Sequence, residues 1–278
     1  MPIELVTTFW PFVDELFTKE ACYNLVTNQF FNWSGAHSVK VYKISTSAMT
    51  DYARDGETGS SWSRYGAVAS LDATTEEFTL TQDRSFTFAI DKMDTDETAR
   101  QLAAASALAR QIREVVIPEM DTYIFGKICA DAGETPTAKA VTKDNIFDMI
   151  IDANNALDDN DVPTMGRVLI VTPTVYAAMK RSKDIIMETD IGADMRLKGV
   201  ISNIDGVDVV RVPGKRLPEK FGFLLVHPSA TVAPVKLADY KVHQDPPGLS
   251  GSLVEGRLYY DAFVLENKIG AIYYQSQP

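Results

Sequence analysis

Apolar and polar residues alternate in two stretches within the first third of the chain. One is Val39–Ser45, "VKVYKIS", and the other is Phe78–Asp91, "FTLTQDRSFTFAID", in which the alternation breaks near Gln82–Ser85. A period of two places successive side chains on opposite faces of a strand. We therefore predict one strand in each stretch and expect the two strands to pair. The alternating apolar residues of the second stretch are Phe78, Leu80, Phe86, Phe88 and Ile90.

The connection between these two stretches is long and polar. It reads "TSAMTDYARDGETGSSWSRYGAVASLDATTEE" and is rich in Gly, Ser, Thr and charged residues. Connections of this length without secondary structure are uncommon in compact domains unless they have a function. We predict that residues 38–91 form a long two-stranded arm that projects from the body of the protein. Because an isolated two-stranded ribbon is only marginally stable in water, we expect neighbouring subunits to cover its faces.

Helical spacing replaces the alternation after the second strand. The acidic residues of "DTDE" are typical of a helix start, with Asp94 as the expected N-cap and Glu97 three residues later. Apolar residues then recur three and four positions apart, which predicts one long amphipathic helix. Pro118 should end or kink this helix, and "PEMDTYIFGKICADA" should form a second helical segment. The apolar positions are Leu102, Ala105, Ala109, Ile112 and Val116.

From Val141 onward, helical and strand patterns are mixed. "KDNIFDMIIDANNALDDNDV" has the spacing of a helix, whereas "RVLIVTP", "GVDVVRVP" and "FGFLLVHP" have the apolar character of buried strands. This mixture predicts an α/β region around a short mixed sheet. Two further strands, Leu258–Leu265 and Gly270–Tyr274, are predicted near the C-terminus, on either side of the turn signal "ENKIG".

Composition and charge narrow the class of protein. With 278 residues, of which 45% are apolar, the chain is long enough to bury a large core. A formal net charge of -11 without a basic cluster argues against nucleic-acid binding through neutralised phosphates. Cys22 and Cys129 form no metal or disulfide motif, so we expect both to be reduced and buried. The sequence has neither a signal-peptide pattern nor a run of about 18 apolar residues, so we expect a cytoplasmic protein without a membrane span.

Motifs that carry chemistry are missing from the sequence. The acidic stretch from Asp91 to Glu97 contains no glycine for the sharp turn of a calcium loop. Its acidic residues fit helix capping better. His37, His227 and His243 have no second ligand at metal spacing. The stretches "GETGSSW" and "GLSGS" match neither a phosphate-binding loop nor a nucleophile elbow. We therefore predict no catalytic, cofactor-binding or metal-binding residue, and a protein that is not an enzyme.

The order of these elements resembles one known family. An apolar N-terminal segment, a long ribbon, a long helix, an α/β lobe and terminal strands occur in that order in the major capsid proteins of tailed double-stranded DNA bacteriophages. Four stretches are similar to that family: "LTQDRSFTFAIDKMDTDET", "VIPEMDTYIFGKI", "NNALDDNDVPTMGRVLIVTPTVYAAM" and "GRLYYDAFVLENKIGAIYY". The resemblance implies the α+β, Hong Kong 97-type fold. It divides the chain into an N-terminal arm (1–36), an extended loop (37–91), a peripheral domain with a long spine helix (92–140 and 235–278) and an axial domain (141–234).

The resemblance also implies a function and partners. The chain would be a structural subunit that forms hexamers and pentamers of an icosahedral shell around double-stranded DNA, without sequence-specific DNA binding, cofactors or a membrane. It would work with scaffolding and portal proteins, assemble in the host cytoplasm and end in the virion. No lysine lies between Lys43 and Lys92, so cross-linking through a loop lysine is not expected. The extended loop would lie over a neighbouring subunit, with contacts from Arg54, Asp55, Glu57, Trp62 and Arg64.

Two other functions are consistent with the sequence. An encapsulin-type nanocompartment shell has the same fold and a similar chain length, but it encloses cargo enzymes in place of a genome. An α/β enzyme or ligand-binding protein would need a pocket with convergent polar residues, which the sequence does not reveal.

Overall fold

The chain folds into two compact units. The computed structural model describes residues 21–28, 38–54, 63–66, 68, 70–97, 104–183 and 203–278. One unit spans Trp33–Leu80, and we call it the ribbon. The other, which we call the body, comprises Met1–Asn32 and Thr81–Pro278. Two boundaries separate the units: the one after Leu80 falls inside the predicted extended loop, 37–91, and the one after Asn32 falls inside the predicted N-terminal arm, 1–36. The division of the chain into arm, loop, peripheral domain and axial domain remains a prediction.

The described residues contain both strands and helices. The strands are β1 (Ser38–Ile44), β2 (Ala73–Thr79), β3 (Gln82–Asp91), β4 (Val168–Val171), β5 (Asn203–Ile204), β6 (Val207–Arg211), β7 (Phe221–Val226), β8 (Thr231–Val232), β9 (Val235–Gln244), β10 (Gly251–Tyr260), β11 (Phe263–Val264) and β12 (Ile272–Ser276). The α-helices are α1 (Lys92–Glu97), α2 (Ala104–Gln111), α3 (Ile117–Ala130), α4 (Ile146–Asp159) and α5 (Pro173–Arg181). A π-helical segment, Ile112–Val116, joins α2 to α3. No helix in the described ranges has the length and apolar character needed to cross a bilayer.

The predicted pairing of residues 39–45 with residues 78–91 is only partly right. β1 and β2 pair antiparallel along the ribbon, and Ser38 lies opposite Thr79. β3 pairs with β10 of the body, not with β1. The break has a physical cause at Thr81, where the backbone N–H and the side-chain hydroxyl both donate to the carboxylate of Asp261 at 2.8 Å. These bonds take the place of a strand ladder and end the ribbon.

A three-stranded antiparallel sheet in the body has the strand order β3-β10-β9. Phe86 and Tyr240 lie on either side of Gly256, one on each neighbouring strand. A Cβ atom at Gly256 would lie 2.4 Å from the ring of Phe86, so only glycine fits beneath that ring.

The predicted strand Leu258–Leu265 is not one strand. β10 ends at Tyr260, and the short β11 pairs with β8.

Helix α1 starts earlier than its acidic residues predict. Asp91 Oδ1 accepts a hydrogen bond from Met93 N at 2.8 Å, and the helix begins at Lys92. Asp91 is thus the capping residue, and the predicted cap, Asp94, lies in the first turn, where its charge complements the helix dipole. Pro118 does not end the helix. The π-helical segment before it gives room for a ring that lacks an N–H and crowds the carbonyl four residues earlier.

A buried ion pair attaches the N-terminal segment 21–28 to the rest of the body. Asp121 of α3 and Arg216 are at most 1% exposed in their side chains, and Arg216 Nη1 lies 2.6 Å from Asp121 Oδ2. The backbone N–H groups of Cys22 and Tyr23 donate to Asp121 Oδ1 at 3.0 and 3.1 Å. Cys22 and Cys129 are free and buried in the surrounding core, as predicted.

The second core lies between a mixed sheet and two helices. The sheet has the order β12-β7-β4-β6-β5, in which β4 and β6 are parallel and the other pairs are antiparallel. This confirms the predicted short mixed sheet. α4 and α5 pack on it through fully buried side chains such as Ile150, Leu157 and Met179. The outer edge of β12 is covered by residues 134–139, whose backbone bonds to Ile272, Tyr274 and Ser276.

Candidate intersubunit surface

The ribbon continues beyond its two strands as a folded connection. Lys43 and Glu76, diagonal neighbours across β1 and β2, form an ion pair of 3.2 Å. Farther out, hydrogen bonds still join the two sides of the connection. They run from Ser45 N to Asp72 O (2.9 Å), from Thr50 Oγ1 to Tyr65 O (2.8 Å) and from Ala53 N to Arg64 O (3.0 Å).

A glycine allows the two sides of this connection to approach closely. Gly66 has a φ of +89°, in the left-handed region that other residues rarely adopt. A Cβ atom at this position would lie 2.8 Å from Thr50 Oγ1, the atom that bonds to Tyr65. The sharp turn and the short approach together require glycine here.

Large apolar side chains are concentrated on the outside of the ribbon. Met49 is 100% exposed and Tyr65 is 78% exposed. The rings of Tyr52 and Tyr65 meet edge to face with their centroids 4.9 Å apart, so this exposed pair has a defined geometry. In the described residues the ribbon exposes six large apolar side chains, whereas the much larger body exposes seven that are widely spaced in sequence. The six are Ile44, Met49, Tyr52, Tyr65, Val68 and Leu71.

This set of apolar side chains is unusual for a surface in contact with water. Single exposed apolar residues are common on proteins, but grouped ones mark surfaces that bind another molecule. Each large apolar side chain gains roughly 1.5–3 kcal/mol when it is fully buried. The described part of the ribbon has no second layer of its own to bury them. Its surface is therefore suited to contact with another protein surface.

The contact residues predicted from the sequence are only partly within the described residues. Arg54 and Arg64 are exposed, and they lie near each other along the backbone because Ala53 N donates to Arg64 O. Asp55, Glu57 and Trp62 lie outside the described residues. The role of all five as intersubunit contacts remains a prediction.

The six apolar residues of the ribbon are not among the contacts predicted from the sequence. The predicted contacts are four charged residues and one tryptophan. A signal was nevertheless present: Met49, Val68 and Leu71 occur in a Gly/Ser/Thr-rich segment that has neither strand nor helix periodicity. Apolar residues without such a pattern have no core of their own chain to enter.

The described residues of the body bring together few groups of the kind that an active site uses. His227 lies within hydrogen-bond distance of Ser229 Oγ (2.7 Å) and of Met165 O (3.2 Å), and burial lowers its pKa. Burial raises the pKa of Cys129 to about 12, so this thiol stays protonated and is not a nucleophile. Within the described ranges, no cluster of three His, Cys, Asp or Glu residues could hold a metal ion.

An open depression of about 410 Å³ lies on the outer face of the three-stranded sheet. Its charged side chains pair with charged neighbours on the sheet. Arg257 binds Asp83 through two bonds, of 2.9 and 2.5 Å, and Lys241 lies 2.8 Å from Asp239. Paired charges on an open sheet face are typical of a solvated surface.

Comparison with known proteins gives matches in structure and none in sequence. No protein-family model matches the chain, and no curated protein matches its sequence. A structure from Mycobacterium phage Che8 has a TM-score of 0.78 and 20% identity, over 98% of this chain and 97% of that chain. The capsid structure of the cyanophage P-SCSP1u has a TM-score of 0.78 and 15% identity, over 98% and 93%. A virus-like particle from Pyrococcus furiosus has a TM-score of 0.58 and 12% identity, over 92% of each chain.

These similarities extend over nearly the whole length of both chains in each comparison, so they concern the complete arrangement of elements and not one lobe. Sequence identities of 12–20% show that the fold is shared and do not by themselves show a shared function. The fold class predicted from the order of the elements is confirmed: the chain has the α+β, Hong Kong 97-type fold of phage capsid proteins.

Proposed function

We propose that this protein is a major capsid subunit, which assembles into hexamers and pentamers of an icosahedral shell enclosing double-stranded DNA. The observation that carries the proposal is the set of six exposed apolar side chains on the ribbon. A surface of this kind, on a fold shared with phage capsid structures, is best explained as a contact with another copy of the chain. In this proposal the chain is a structural protein and not an enzyme.

The proposed contact is heterologous. The ribbon of one subunit would bind a different part of the next subunit, so each copy would both give and receive a ribbon. Contacts of this type close into rings when the rotation between subunits divides a full turn evenly. The same interface would then form rings of six copies and, with a slightly different rotation between subunits, rings of five.

The energetics favour rings over pairs. Association costs an estimated 4–15 kcal/mol of lost translational and rotational freedom, and this offsets much of what one ribbon could gain by burial. In a closed ring the last contact forms between molecules that are already held together. We therefore expect cooperative assembly with few free pairs.

The acidic charge of the chain fits a container for DNA. A net charge of -11 disfavours tight binding to phosphates, so enclosed DNA would remain mobile. Scaffolding and portal proteins as partners, assembly in the host cytoplasm and a final place in the virion belong to the same proposal.

A protein nanocompartment is the second candidate function. The similarity to the virus-like particle from Pyrococcus furiosus favours it, although that TM-score of 0.58 is lower than the 0.78 of the two phage structures. Both candidates predict a closed shell, and they differ in its contents.

Electron microscopy of the purified protein tests the shared part of the two candidates. We expect closed shells or rings of five and six subunits in negative stain. A protein that remains monomeric at high concentration would contradict both. The ultraviolet absorbance ratio of particles isolated from their native source then separates the two, because enclosed nucleic acid raises absorbance at the shorter wavelength.

Removing the outer part of the ribbon tests its role directly. Deletion of residues 50–67 should leave the melting transition of the body nearly unchanged, because the cores of the body do not include these residues. The same deletion should abolish shell assembly. Shells of normal appearance from the deleted protein would refute the role proposed for the ribbon.

A further inference from the structure

One edge strand of the body has an open backbone edge. β9 lies at the end of the three-stranded sheet and pairs with β10 on one side only. Within the described ranges, no other segment donates to or accepts from the backbone of residues 237–244 on the other side. At about 3.4 Å per residue, this open edge is roughly 25 Å long.

The second sheet of the body treats its edges differently. Residues 134–139 cover the outer edge of β12, and the opposite edge strand, β5, has only two residues. A long open edge is a template for pairing with another strand, and proteins usually cover, shorten or charge such edges. The contrast between the two sheets indicates that β9 is left open for a partner strand.

The side chains of β9 are arranged symmetrically about its middle. Tyr240 is half-buried, and its two neighbours in sequence are an acid and a base, Asp239 and Lys241. The next residues on either side, Ala238 and Val242, are both exposed and lie on the same face of the sheet as Tyr240. When the strand is reversed about Tyr240, acid and base exchange places and the apolar residues coincide.

This symmetry matches the strand to a second copy of itself. A two-fold axis perpendicular to the sheet keeps each face continuous, so residues that lie opposite each other must belong to the same face. With the axis at Tyr240, Asp239 of each copy lies opposite Lys241 of the other, and Ala238 lies opposite Val242. With the axis at Asp239 or at Lys241, that residue would lie opposite its own copy, and like charges in this position destabilise a strand pair.

The charges of the neighbouring strand extend the match. Within one body, Arg257 of β10 lies opposite Asp239, and Glu255 lies opposite Lys241. A row across the joined sheets would therefore run Arg257, Asp239, and then Lys241 and Glu255 of the second copy. The signs alternate along the whole row. A foreign strand without this pattern would leave charges unmatched, so the edge favours its own copy.

We propose that β9 is a second interface between copies of this chain: two β9 strands pair antiparallel around a two-fold axis at Tyr240 and join two three-stranded sheets into one of six strands. This contact is isologous and joins two molecules, whereas the heterologous ribbon contact closes rings. It rests on the proposed function only where it concerns a shell, in which it would link neighbouring rings. The pairing itself involves two bodies and no ribbon.

A contact made by two strands is small compared with stable protein interfaces, so a single pair should be short-lived. Disulfide trapping detects such pairs, and the symmetry supplies its own control. Full-length Ala238→Cys and full-length Val242→Cys are prepared separately and as an equal mixture, and each is treated with a mild oxidant. Cys22 and Cys129 are buried, and the two separate variants also measure any reaction of these thiols.

Only the mixture should form covalent dimers. Residues directly opposite across antiparallel strands have Cα atoms about 4.5–5.5 Å apart, within the range of a disulfide. In either variant alone, the two cysteines of a pair would lie four residues apart along the strands, at roughly 13 Å. We expect at least about ten times more covalent dimer in the mixture than in either variant alone, since a disulfide needs Cα atoms within about 7 Å. Equal yields would overturn the proposal.

Charge reversal tests the register independently. When both cysteine chains also carry Lys241→Asp, each Asp239 lies opposite an aspartate, and the dimer yield should fall about fivefold because like charges oppose pairing. When one chain carries Lys241→Asp and the other carries Asp239→Lys, opposite charges lie across from each other again, and the yield should recover. A yield that does not recover would contradict the axis at Tyr240.

The outcome for β9 can be distinguished from the outcome for the capsid function. Oxidation traps even short-lived pairs, so a missing link counts against the β9 interface in free molecules as well as in shells. Dimers that form as expected in a protein that never assembles would retain the β9 interface and remove the proposed function. Shells that form normally without the link would retain the function and remove the β9 interface.

Discussion

The body and the ribbon differ in what happens to their large apolar side chains: the body buries most of them, and the ribbon exposes six. The body encloses two cores and satisfies buried charges internally, as the pair of Asp121 and Arg216 shows. The ribbon has one layer of two strands and leaves residues such as Met49 and Tyr65 in water. The body can therefore be stable as a single molecule. The ribbon, in contrast, gains most of its stabilisation only when something covers it.

This difference separates folding from assembly within one sequence. Changes in the body should alter the free energy of unfolding, and changes on the ribbon should alter contacts between molecules. The following predictions test that separation and proceed from the largest expected effect on the body to the smallest.

Alkaline pH should unfold the body. Burial raises the pKa of Tyr23, Tyr240 and Tyr274, and it raises that of Tyr260 from 10.0 to about 12. Each of these groups holds its proton more tightly in the folded state, so its contribution to stability is present below pH 10 and is lost as the pH rises toward 12. We expect tyrosinate absorbance and loss of near-ultraviolet circular dichroism to rise together over this range. Ionisation near pH 10 with unchanged dichroism would contradict the prediction.

Breaking the buried ion pair should cause the next largest loss. Arg216→Met leaves the carboxylate of Asp121 buried without its cation, and such a change costs about 3–5 kcal/mol of the free energy of unfolding. Chemical denaturation of Arg216→Met and of the wild-type protein measures this loss.

The double variant Asp121→Asn with Arg216→Met is the control. It removes the buried charge while keeping an acceptor for Cys22 N and Tyr23 N, so it should recover part of the loss. A double variant as unstable as Arg216→Met would show that packing, and not the unpaired charge, explains the effect.

A methyl group at Gly256 should have a smaller effect. Gly256→Ala places a Cβ atom 2.4 Å from the ring of Phe86, and overpacking of this kind costs about 1–3 kcal/mol. In the background Phe86→Ala, the same substitution should cost much less, because the ring is gone. Additive losses in the double variant would mean that the two residues do not compete for this space.

Polar substitutions on the ribbon should have the smallest effect on the body. Met49→Ser should change the free energy of unfolding by no more than about 0.5 kcal/mol, as exposed positions usually do. It should nevertheless slow or weaken shell assembly, measured by light scattering. The matched control is Met165→Ser, since Met165 is 85% exposed on the body. Equal effects of the two variants on assembly would remove the distinction between ribbon and body.

Periodicity in the sequence predicted most of the helices and strands, because each of these elements buries one face in a core of its own chain. The failures occur where a single tertiary contact changes the course of the chain. Thr81 interrupts a run that alternates like one strand, and the partner responsible, Asp261, is 180 residues away. Likewise, Asp91 rather than the predicted Asp94 caps α1, because β3 ends at Asp91 and the helix starts at the next residue.

The candidate surface was harder to predict than the fold. The structure places Arg54 and Arg64 on the ribbon, but the six exposed apolar side chains of the ribbon do not follow from the sequence pattern. A contact between molecules leaves no periodic pattern, because its side chains match a surface that is not adjacent in the same sequence. The order of the elements, in contrast, was sufficient to identify the fold.

The cover on the outer edge of β12 has a consequence for synthesis in the cell. Backbone bonds from residues 134–139 occupy the edge that another chain could otherwise extend, and the opposite edge strand, β5, is only two residues long. Exposed sheet edges recruit foreign strands and lead to insoluble aggregates. With both edges of this five-stranded sheet blunted, newly made chains are less prone to join one another through it, even before any ordered particle has formed.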